Sequence, residues 1–239
     1  MLFPELRAQV LQANLEIARL GLAVHTFGNA SGIDRSGMEG KPIVAIKPSG
    51  VSYATMKPED LVLVDLEGVI IEGRLRPSSD LDTHLLLYCE FPQIGGIVHT
   101  HSEFATAWAQ ACRPIPCLGT THADYFHGPV PLAAQLTASE VEEAYVRNTG
   151  VVIARLFRDQ NLDPAAVPGV LVAGHAPFAW GKTPAAAVEH ADLLEYIARL
   201  AWRTEVLGSP ANGLPAHVAD HHYHRKHGPK ATYGQAKSS

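Results

Sequence analysis

The sequence predicts a single α/β domain over residues 1–239, and three observations support this prediction. The chain is long enough for one large domain and contains no repeat or linker that would divide it. Helical and strand-like patterns alternate along it. Two short apolar runs, each typical of a buried strand, end in histidine, at His99 and at His175.

Several helices are predicted from the spacing of apolar side chains. Residues 4–20 carry apolar side chains three or four positions apart, as on one face of a helix. A capping box at Thr137 and Glu140 begins another helical run, which we expect to end or be interrupted near Gly150. Further helical patterns cover residues 80–89, 103–112, 151–157 and 184–207.

The predicted strands are short and bounded by turn residues. Residues 43–46 form one, and 61–65 should pair with 69–72 around a turn at 66–68. The two histidine-ending runs, 95–101 and 168–175, are read as buried strands. The segment 26–32 is small, polar and glycine-rich, and is read as a loop.

Histidines at positions 99, 101 and 175 form a candidate metal site. Side chains alternate between the faces of a strand, so His99 and His101 should project the same way. A lone pair of this kind is often two satisfied histidines at a strand end, but His175 ends a second, similar strand. Asp80, near the start of a predicted helix, offers a carboxylate. Three imidazoles with an optional carboxylate suit a catalytic zinc ion.

Three polar segments are candidates for holding a phosphate group. They are 26–32, 47–50 with its single Lys47, and the pair Ser78 and Ser79. Backbone amides, hydroxyls and one lysine can bind phosphate without a nucleotide fold. Each segment taken alone is more typical of ordinary turn chemistry. Beside a metal site, together they indicate a small phosphorylated substrate.

Composition argues against several other classes of function. The formal net charge is −5, without the basic footprint of a nucleic-acid-binding protein. No apolar stretch approaches the roughly 20 residues that cross a bilayer. The first residues lack the order of a signal peptide, and the three cysteines have no metal or redox spacing. We therefore expect a cytoplasmic protein with no nucleic-acid or membrane partner.

Five blocks of sequence resemble the class II aldolase/epimerase family, and the resemblance extends over about residues 5–235. The blocks are 28–31 (Gly-Asn-Ala-Ser), 47–50 (Lys-Pro-Ser-Gly), 77–80 (Pro-Ser-Ser-Asp), 99–101 (His-Thr-His) and 169–182. The block at 119–126 and the tail at 222–235 resemble the epimerase branch in particular. The resemblance implies a three-layer fold with a central, largely antiparallel sheet flanked by helices. It also implies a homotetramer with active sites between subunits, to which the tail at 216–239 contributes.

The resemblance also implies a role for each matching residue. The metal ligands would be His99, His101 and His175 with Asp80, and the metal would be Zn²⁺, with Mn²⁺ or Co²⁺ as alternatives. Asp124 and Tyr233 would be the acid/base pair. The residues that bind the substrate and its phosphate would be Asn29, Lys47, Ser49, Gly50, Ser78, Ser79, Thr120 and His222.

The activity implied is inversion of a pentulose phosphate at C4, by breaking and re-forming the C3–C4 bond. L-Ribulose 5-phosphate and D-xylulose 5-phosphate would interconvert. Two acid/base groups are needed because the C4 oxygen lies on opposite sides in the two epimers. Two departures from the family pattern are a longer loop at 36–41 and Ala173-Gly174 before the third histidine.

Two other functions stay open at this stage. A class II aldolase of the L-fuculose-phosphate type would release its fragments, but that branch typically carries a glutamate where this chain has Asp80. A non-catalytic, zinc-stabilised interaction protein would not need the acid/base candidates. The sequence does not decide between arabinose, ascorbate or another sugar as the source of the substrate.

Overall fold

The structure is a computed structural model that describes residues 1–208, 213–227 and 231–232. Within these residues the chain forms eight strands and seven α-helices. The strands are β1 (Asn29–Met38), β2 (Lys41–Ile46), β3 (Val62–Val64), β4 (Ile70–Glu72), β5 (Gly96–His99), β6 (Leu132–Ala133), β7 (Gly169–Val172) and β8 (Pro177–Gly181). The helices are α1 (Pro4–Arg19), α2 (Leu81–Glu90), α3 (Glu103–Gln110), α4 (Thr120–Ala123), α5 (Ala138–Asp159), α6 (Pro184–Gly208) and α7 (Ala216–His227).

All eight strands belong to one sheet, in the order β4-β3-β2-β1-β5-β8-β7-β6. Neighbouring strands are antiparallel except β6 and β7, which are parallel. The strand β5, which ends in His99, lies between β1 and β8. The expected largely antiparallel sheet is confirmed.

Helices cover both faces of this sheet and enclose two apolar cores. Alternate residues of β2 show the arrangement, because strand side chains point to opposite faces in turn. Ile43 and Ala45 pack with apolar residues of α1 and α6, whereas Val44 and Ile46 pack in a second core with residues of α2 and α5. The predicted three-layer fold is therefore confirmed. In the part of the chain described here, no helix is long and apolar enough to span a membrane.

Five of the strands and α-helices in the structure were not predicted from the sequence. They are the strands β1, β6 and β8 and the helices α4 and α7. The loop prediction for 26–32 is wrong from Asn29 onward, because β1 begins there. Its polar residue Ser31 has partners on the helix α2: the buried hydroxyl lies 2.7 Å from His84 Nδ1 and 2.8 Å from the Tyr88 hydroxyl. Because residues 29–32 are small or polar, they do not show the alternation of large apolar and polar side chains by which a strand is recognised in a sequence.

The expected break near Gly150 is also wrong, because α5 continues through it to Asp159. The helix is instead kinked at Ala144, whose φ of −166° and ψ of 72° are not helical. Asn148 donates its side-chain amide to the carbonyl of Glu140 at 2.7 Å. That carbonyl would otherwise accept from the amide of residue 144, so the asparagine replaces the lost helical bond.

The remaining predicted elements agree with the structure within a few residues. The 61–65 and 69–72 pair is the antiparallel β3–β4 hairpin. The longer loop at 36–41 contains the turn between β1 and β2, which pair antiparallel. It lies at the opposite end of the ten-residue strand β1 from Asn29.

The close approach of β5 to α6 gives a direct test of the fold. A Cβ added at Gly96 would lie 2.5 Å from two backbone atoms of Pro184. We expect Gly96→Ala to lower the free energy of unfolding by about 1–3 kcal/mol, the usual effect of overpacking. Gly119→Ala is the matched control, because no atom lies within 4 Å of its added Cβ. Denaturant unfolding measures both, and equal midpoints would contradict this packing.

Candidate active site

The three predicted histidines converge at one point. His99 is the last residue of β5, His101 follows two residues later, and His175 lies in the turn between β7 and β8. One ring nitrogen from each lies within 4.8 Å of the others. Their ring centroids are 4.9–5.2 Å apart. The neighbouring strands β5 and β8 thus bring together residues that are 76 positions apart in sequence.

The protonation state of these rings suits metal binding. Burial lowers the pKa of His99 and of His101, and together with these two neighbours it lowers the pKa of His175 to about 4. All three rings are therefore neutral at pH 7, which is the form that binds a metal ion. His99 Nδ1 lies 3.0 Å from the carbonyl oxygen of Pro177. When Nδ1–H donates to this carbonyl, Nε2 is left with a free lone pair.

Asp80, the predicted fourth ligand, lies just before α2 and next to the histidines. Its Oδ2 accepts a hydrogen bond from Asn29 Nδ2 at 2.6 Å. Burial acts to raise the pKa of the Asp80 carboxyl, but His99, His84 and the Asn29 hydrogen bond outweigh it and lower the pKa below its usual value. The side chain is therefore a carboxylate at neutral pH. Among the described residues, however, the group whose ligand atoms lie within 4.8 Å of one another contains the three histidines and not Asp80. Three neutral imidazoles fit a divalent transition metal, and the place of Asp80 as a fourth ligand stays a prediction.

A cavity of about 300 Å³ adjoins the histidines. It is lined by Thr26, Phe27, Gly28, Asn29, Lys47, Pro48, Ser49, Gly50, Ser78, Ser79, Asp80, His99, His101 and His175. All four predicted metal ligands and six of the eight predicted binding residues therefore lie on its wall. Gly28 has a φ of +79°, and a Cβ there would lie 2.9 Å from the His99 carbonyl oxygen. The first predicted polar segment can pass this close to the metal site only because residue 28 is glycine.

The two other polar segments are tied to each other by backbone hydrogen bonds. Ser78 N donates to the Lys47 carbonyl at 2.9 Å, and Ser49 N donates to the Arg76 carbonyl at 3.0 Å. Lys47 is only 2% exposed, and its ammonium lies 4.9 Å from the centroid of the Tyr53 ring. Burial lowers the pKa of Lys47. A largely buried cation at the wall of a polar cavity is suited to an anionic ligand group.

Two residues near the metal site were missed by sequence reasoning. His84 is fully buried one helical turn after Asp80, and burial lowers its pKa to about 3. The i,i+4 spacing of these two residues on a predicted helix could have drawn attention to it. Tyr145 follows the kink in α5, and its ring centroid lies 6.2 Å from that of His175. Nothing in the sequence pattern indicated this contact.

Asp124 and His222 meet at a second cluster, formed by α4 and α7. Asp124 directly follows α4, and its Oδ1 lies 3.0 Å from His222 Nδ1. Arg225 donates to both oxygens of the carboxylate, from Nε at 3.2 Å and from Nη2 at 3.1 Å. Burial acts to raise the pKa of Asp124, but the hydrogen bonds from Arg225 and His222 outweigh it and lower the pKa.

The structure does not place this second cluster on the wall of the cavity. Among the described residues, Thr120, Asp124 and His222 are absent from the cavity lining, although all three are predicted site residues. Tyr233, the other predicted acid/base residue, lies outside the described residues. The roles of all these residues stay predictions.

Comparison with known proteins identifies relatives that match almost the whole chain. The chain is 48% identical over 231 residues to "L-ribulose-5-phosphate 4-epimerase UlaF" of Salmonella paratyphi B, a match covering 97% of this chain and 99% of the relative. The protein of the same name from Salmonella typhi matches with the same identity and coverage.

Solved structures share the fold. An L-fuculose 1-phosphate aldolase superposes with a TM-score of 0.77 at 24% identity, covering 92% of this chain and 95% of the aldolase. The l-fuculose-1-phosphate aldolase of Thermus thermophilus has a TM-score of 0.64 at 26% identity, covering 85% of this chain and 96% of that protein. Residues 8–202 match the family described as "Class II Aldolase and Adducin N-terminal domain". The chain therefore belongs to the class II aldolase and adducin N-terminal domain family.

Proposed function

We propose that this protein is an L-ribulose-5-phosphate 4-epimerase, which interconverts L-ribulose 5-phosphate and D-xylulose 5-phosphate. The observation that carries the proposal is the 48% identity to proteins of that name over 97% of the chain. The geometry supports it, because three convergent histidines share a polar cavity with a buried lysine and two serine-containing segments. Such a cavity suits a small sugar phosphate.

The residues of the cavity would hold and orient the substrate. Backbone amides and hydroxyls of 47–50 and 78–79, with the charge of Lys47, would bind the phosphate group. The three histidines and Asp80 would hold a divalent ion, for which we propose Zn²⁺. When bound, this ion supplies Lewis-acid stabilisation of the negative charge that develops on the substrate's carbonyl side. The C3–C4 bond can then break to give the enediolate of dihydroxyacetone and glycolaldehyde phosphate.

Asp124 and Tyr233 would carry the protons on the C4 oxygen. One of them removes the C4 hydroxyl proton as the bond breaks. The aldehyde then turns its opposite face to the enediolate, and after the bond has formed again the other group gives a proton to the new C4 oxygen. Two groups are needed because the oxygen lies on opposite sides in the two epimers. The ordinary pKa of tyrosine is about 10, so Tyr233 needs nearby positive charge to work near neutral pH.

We also propose that the active site forms between subunits of a homotetramer in the cytoplasm. The proposal is supported by the separation of the two clusters, since Asp124 and His222 do not line the cavity of their own chain. In such an assembly the α4–α7 cluster and the tail of one subunit would complete the cavity of its neighbour. The protein would act as a single domain on a pentulose phosphate from arabinose or a related sugar.

The alternative function is a class II aldolase of the L-fuculose-phosphate type. The shared fold of the L-fuculose 1-phosphate aldolases favours it. Asp80 argues against it, because that branch typically carries a glutamate at this position. The two reactions also differ in the fragment that keeps the phosphate: the aldehyde in the epimerase and dihydroxyacetone in the aldolase.

An isomer-resolved time course with the metal-loaded protein tests the proposal. We expect L-ribulose 5-phosphate and D-xylulose 5-phosphate to interconvert in both directions, with little release of glycolaldehyde phosphate, because its phosphate stays anchored. L-Fuculose 1-phosphate serves as the comparison substrate. Efficient cleavage of that compound, with C4 of the pentulose phosphates unchanged, would replace the epimerase proposal with the aldolase alternative. Turnover of neither would favour a non-catalytic role.

A further inference from the structure

The described residues occupy three positions on the carboxylate of Asp124. A carboxylate has about four lone-pair sites, two on each oxygen. Oδ1 faces two donors, His222 Nδ1 at 3.0 Å and Arg225 Nε at 3.2 Å. Oδ2 faces Arg225 Nη2 at 3.1 Å. With respect to the described residues, the remaining site is therefore on Oδ2. Because the guanidinium contacts both oxygens of the carboxylate, it fixes the direction in which this site points.

We infer that Arg225 is a positioning residue, which orients Asp124 so that Oδ2 is the atom that exchanges a proton with the C4 hydroxyl of the substrate. This inference rests on the proposed epimerase function. The proton passes from the C4 hydroxyl to Oδ2, and the electrons of the broken O–H bond form the C4 carbonyl. The electron pair of the C3–C4 bond passes to the dihydroxyacetone fragment. After inversion the new C4 oxygen takes its proton from Tyr233, and Asp124 becomes a carboxylate again by losing its proton to water. When the reaction runs in the opposite direction, Oδ2 gives the proton to the C4 oxygen.

The helix that carries Arg225 is attached to the Asp124 segment at several further points. His227 Nε2 lies 2.7 Å from the Asp124 carbonyl oxygen, and the Lys226 ammonium lies 3.9 Å from the centroid of the Tyr125 ring. Beyond them, His127 pairs with Asp220 at 2.9 Å. The guanidinium therefore approaches Asp124 from a helix that is fixed on both sides of it, as positioning requires.

The charges around Asp124 favour the ionised form. Among the described residues, the titratable and charged groups that face it are His222, Arg225, Lys226 and His227, all from α7. Burial acts to raise the pKa of Asp124, but the hydrogen bonds from Arg225 and His222 and the charges of Arg225 and Lys226 outweigh it and lower the pKa below its usual value. A base that is already ionised accepts a proton without a prior deprotonation step. Removing Arg225 should therefore raise the pKa of Asp124, as well as freeing its orientation.

Steady-state kinetics of Arg225→Met and Arg225→Lys across pH separate these two effects. We expect kcat to fall about 10²-fold in both, the scale of a misplaced reacting group, with KM nearly unchanged. In Arg225→Met the acid limb of the kcat–pH profile should move to higher pH, because the pKa of Asp124 rises. In Arg225→Lys the limb should stay in place, because the charge is kept. Arg113→Met is the matched control, since Arg113 forms a 2.7 Å ion pair with Glu205 away from Asp124.

Chemical rescue provides a readout that a structural role would not give. Guanidinium ion at low, non-denaturing concentration should restore part of kcat to Arg225→Ala, and methylammonium should restore much less. If the wild-type protein epimerises and Arg225→Met has the same kcat and pH profile as Arg113→Met, the inference about Arg225 is overturned, whereas the proposed function stands. The same follows if activity is lost without a pH shift and without rescue. If wild type and Arg113→Met both fail to epimerise, the proposed function fails and the inference fails with it.

Discussion

Removal of the divalent metal should abolish interconversion of the two pentulose phosphates, and added Zn²⁺ or Mn²⁺ should restore it. Breaking the C3–C4 bond leaves negative charge on the dihydroxyacetone fragment, and an ion held by the three histidines would stabilise this charge. Lewis-acid stabilisation of such charge is worth several kcal/mol, which corresponds to a loss of at least about 10³-fold. Chelation followed by dialysis, metal analysis and the isomer-resolved assay measures it.

Histidine variants make the same test specific to the site. His101→Asn should lower both metal content and activity. His190→Asn is the matched control, because His190 is engaged with the Trp180 carbonyl oxygen at 2.7 Å and is not part of the cluster. Since the pKa of His175 is lowered to about 4, protons should compete with the metal only well below the ordinary histidine range. Full activity in protein shown to lack metal would rule out this role for the three histidines.

Loss of either proposed acid/base group should slow epimerisation by about 10²–10⁴-fold, the usual contribution of a positioned acid or base. The variants are Asp124→Asn and Tyr233→Phe, which keep the shape of each side chain. The Tyr233→Phe protein should retain some bond cleavage, because Asp124 can still serve one epimer. Condensation of dihydroxyacetone with glycolaldehyde phosphate would reveal this residual activity. Wild-type rates in both variants would remove the two residues from the mechanism.

Mixing the Tyr233→Phe and His101→Asn proteins tests whether the site is shared between subunits. If the tail of one subunit completes the cavity of its neighbour, exchanged tetramers should contain some sites that pair an intact cavity from one chain with an intact tail from the other. Activity should then rise above that of either variant alone. The control is the same mixture under conditions that prevent subunit exchange. No recovery after confirmed exchange would place Tyr233 and the three histidines in the site of a single subunit.

The positions of the histidines and Asp80 could be predicted because these residues lie at the ends of regular elements. His99 and His175 end apolar runs that form buried strands, and Asp80 directly precedes a helix with a regular apolar pattern. Local periodicity therefore located them. Their convergence follows from the pairing of β5 with β8, two strands that are more than 75 residues apart in sequence. No local pattern in the sequence specifies this pairing.

The elements that were not predicted depend on tertiary partners. The strand β1 contains Ser31 and Gly32, whose low intrinsic strand preference is overcome by burial. A Cβ at Gly32 would lie 2.7 Å from Pro184, so the position requires glycine because a helix packs over it. The helix α7 has few apolar residues and is held by polar contacts such as those of Arg225 with Asp124. Composition alone marked that segment as a polar tail.

The pairing register of the central strands determines whether the three histidines can meet at all. His99 is paired with Asn29 on one side and Phe178 on the other. A slip of one residue would turn its ring to the opposite face of the sheet, away from His175. If these histidines hold a metal ion, as proposed above, the ion can be bound by all three only after the strands have assembled in this register. Binding of the metal would then act as a check that the sheet has formed correctly.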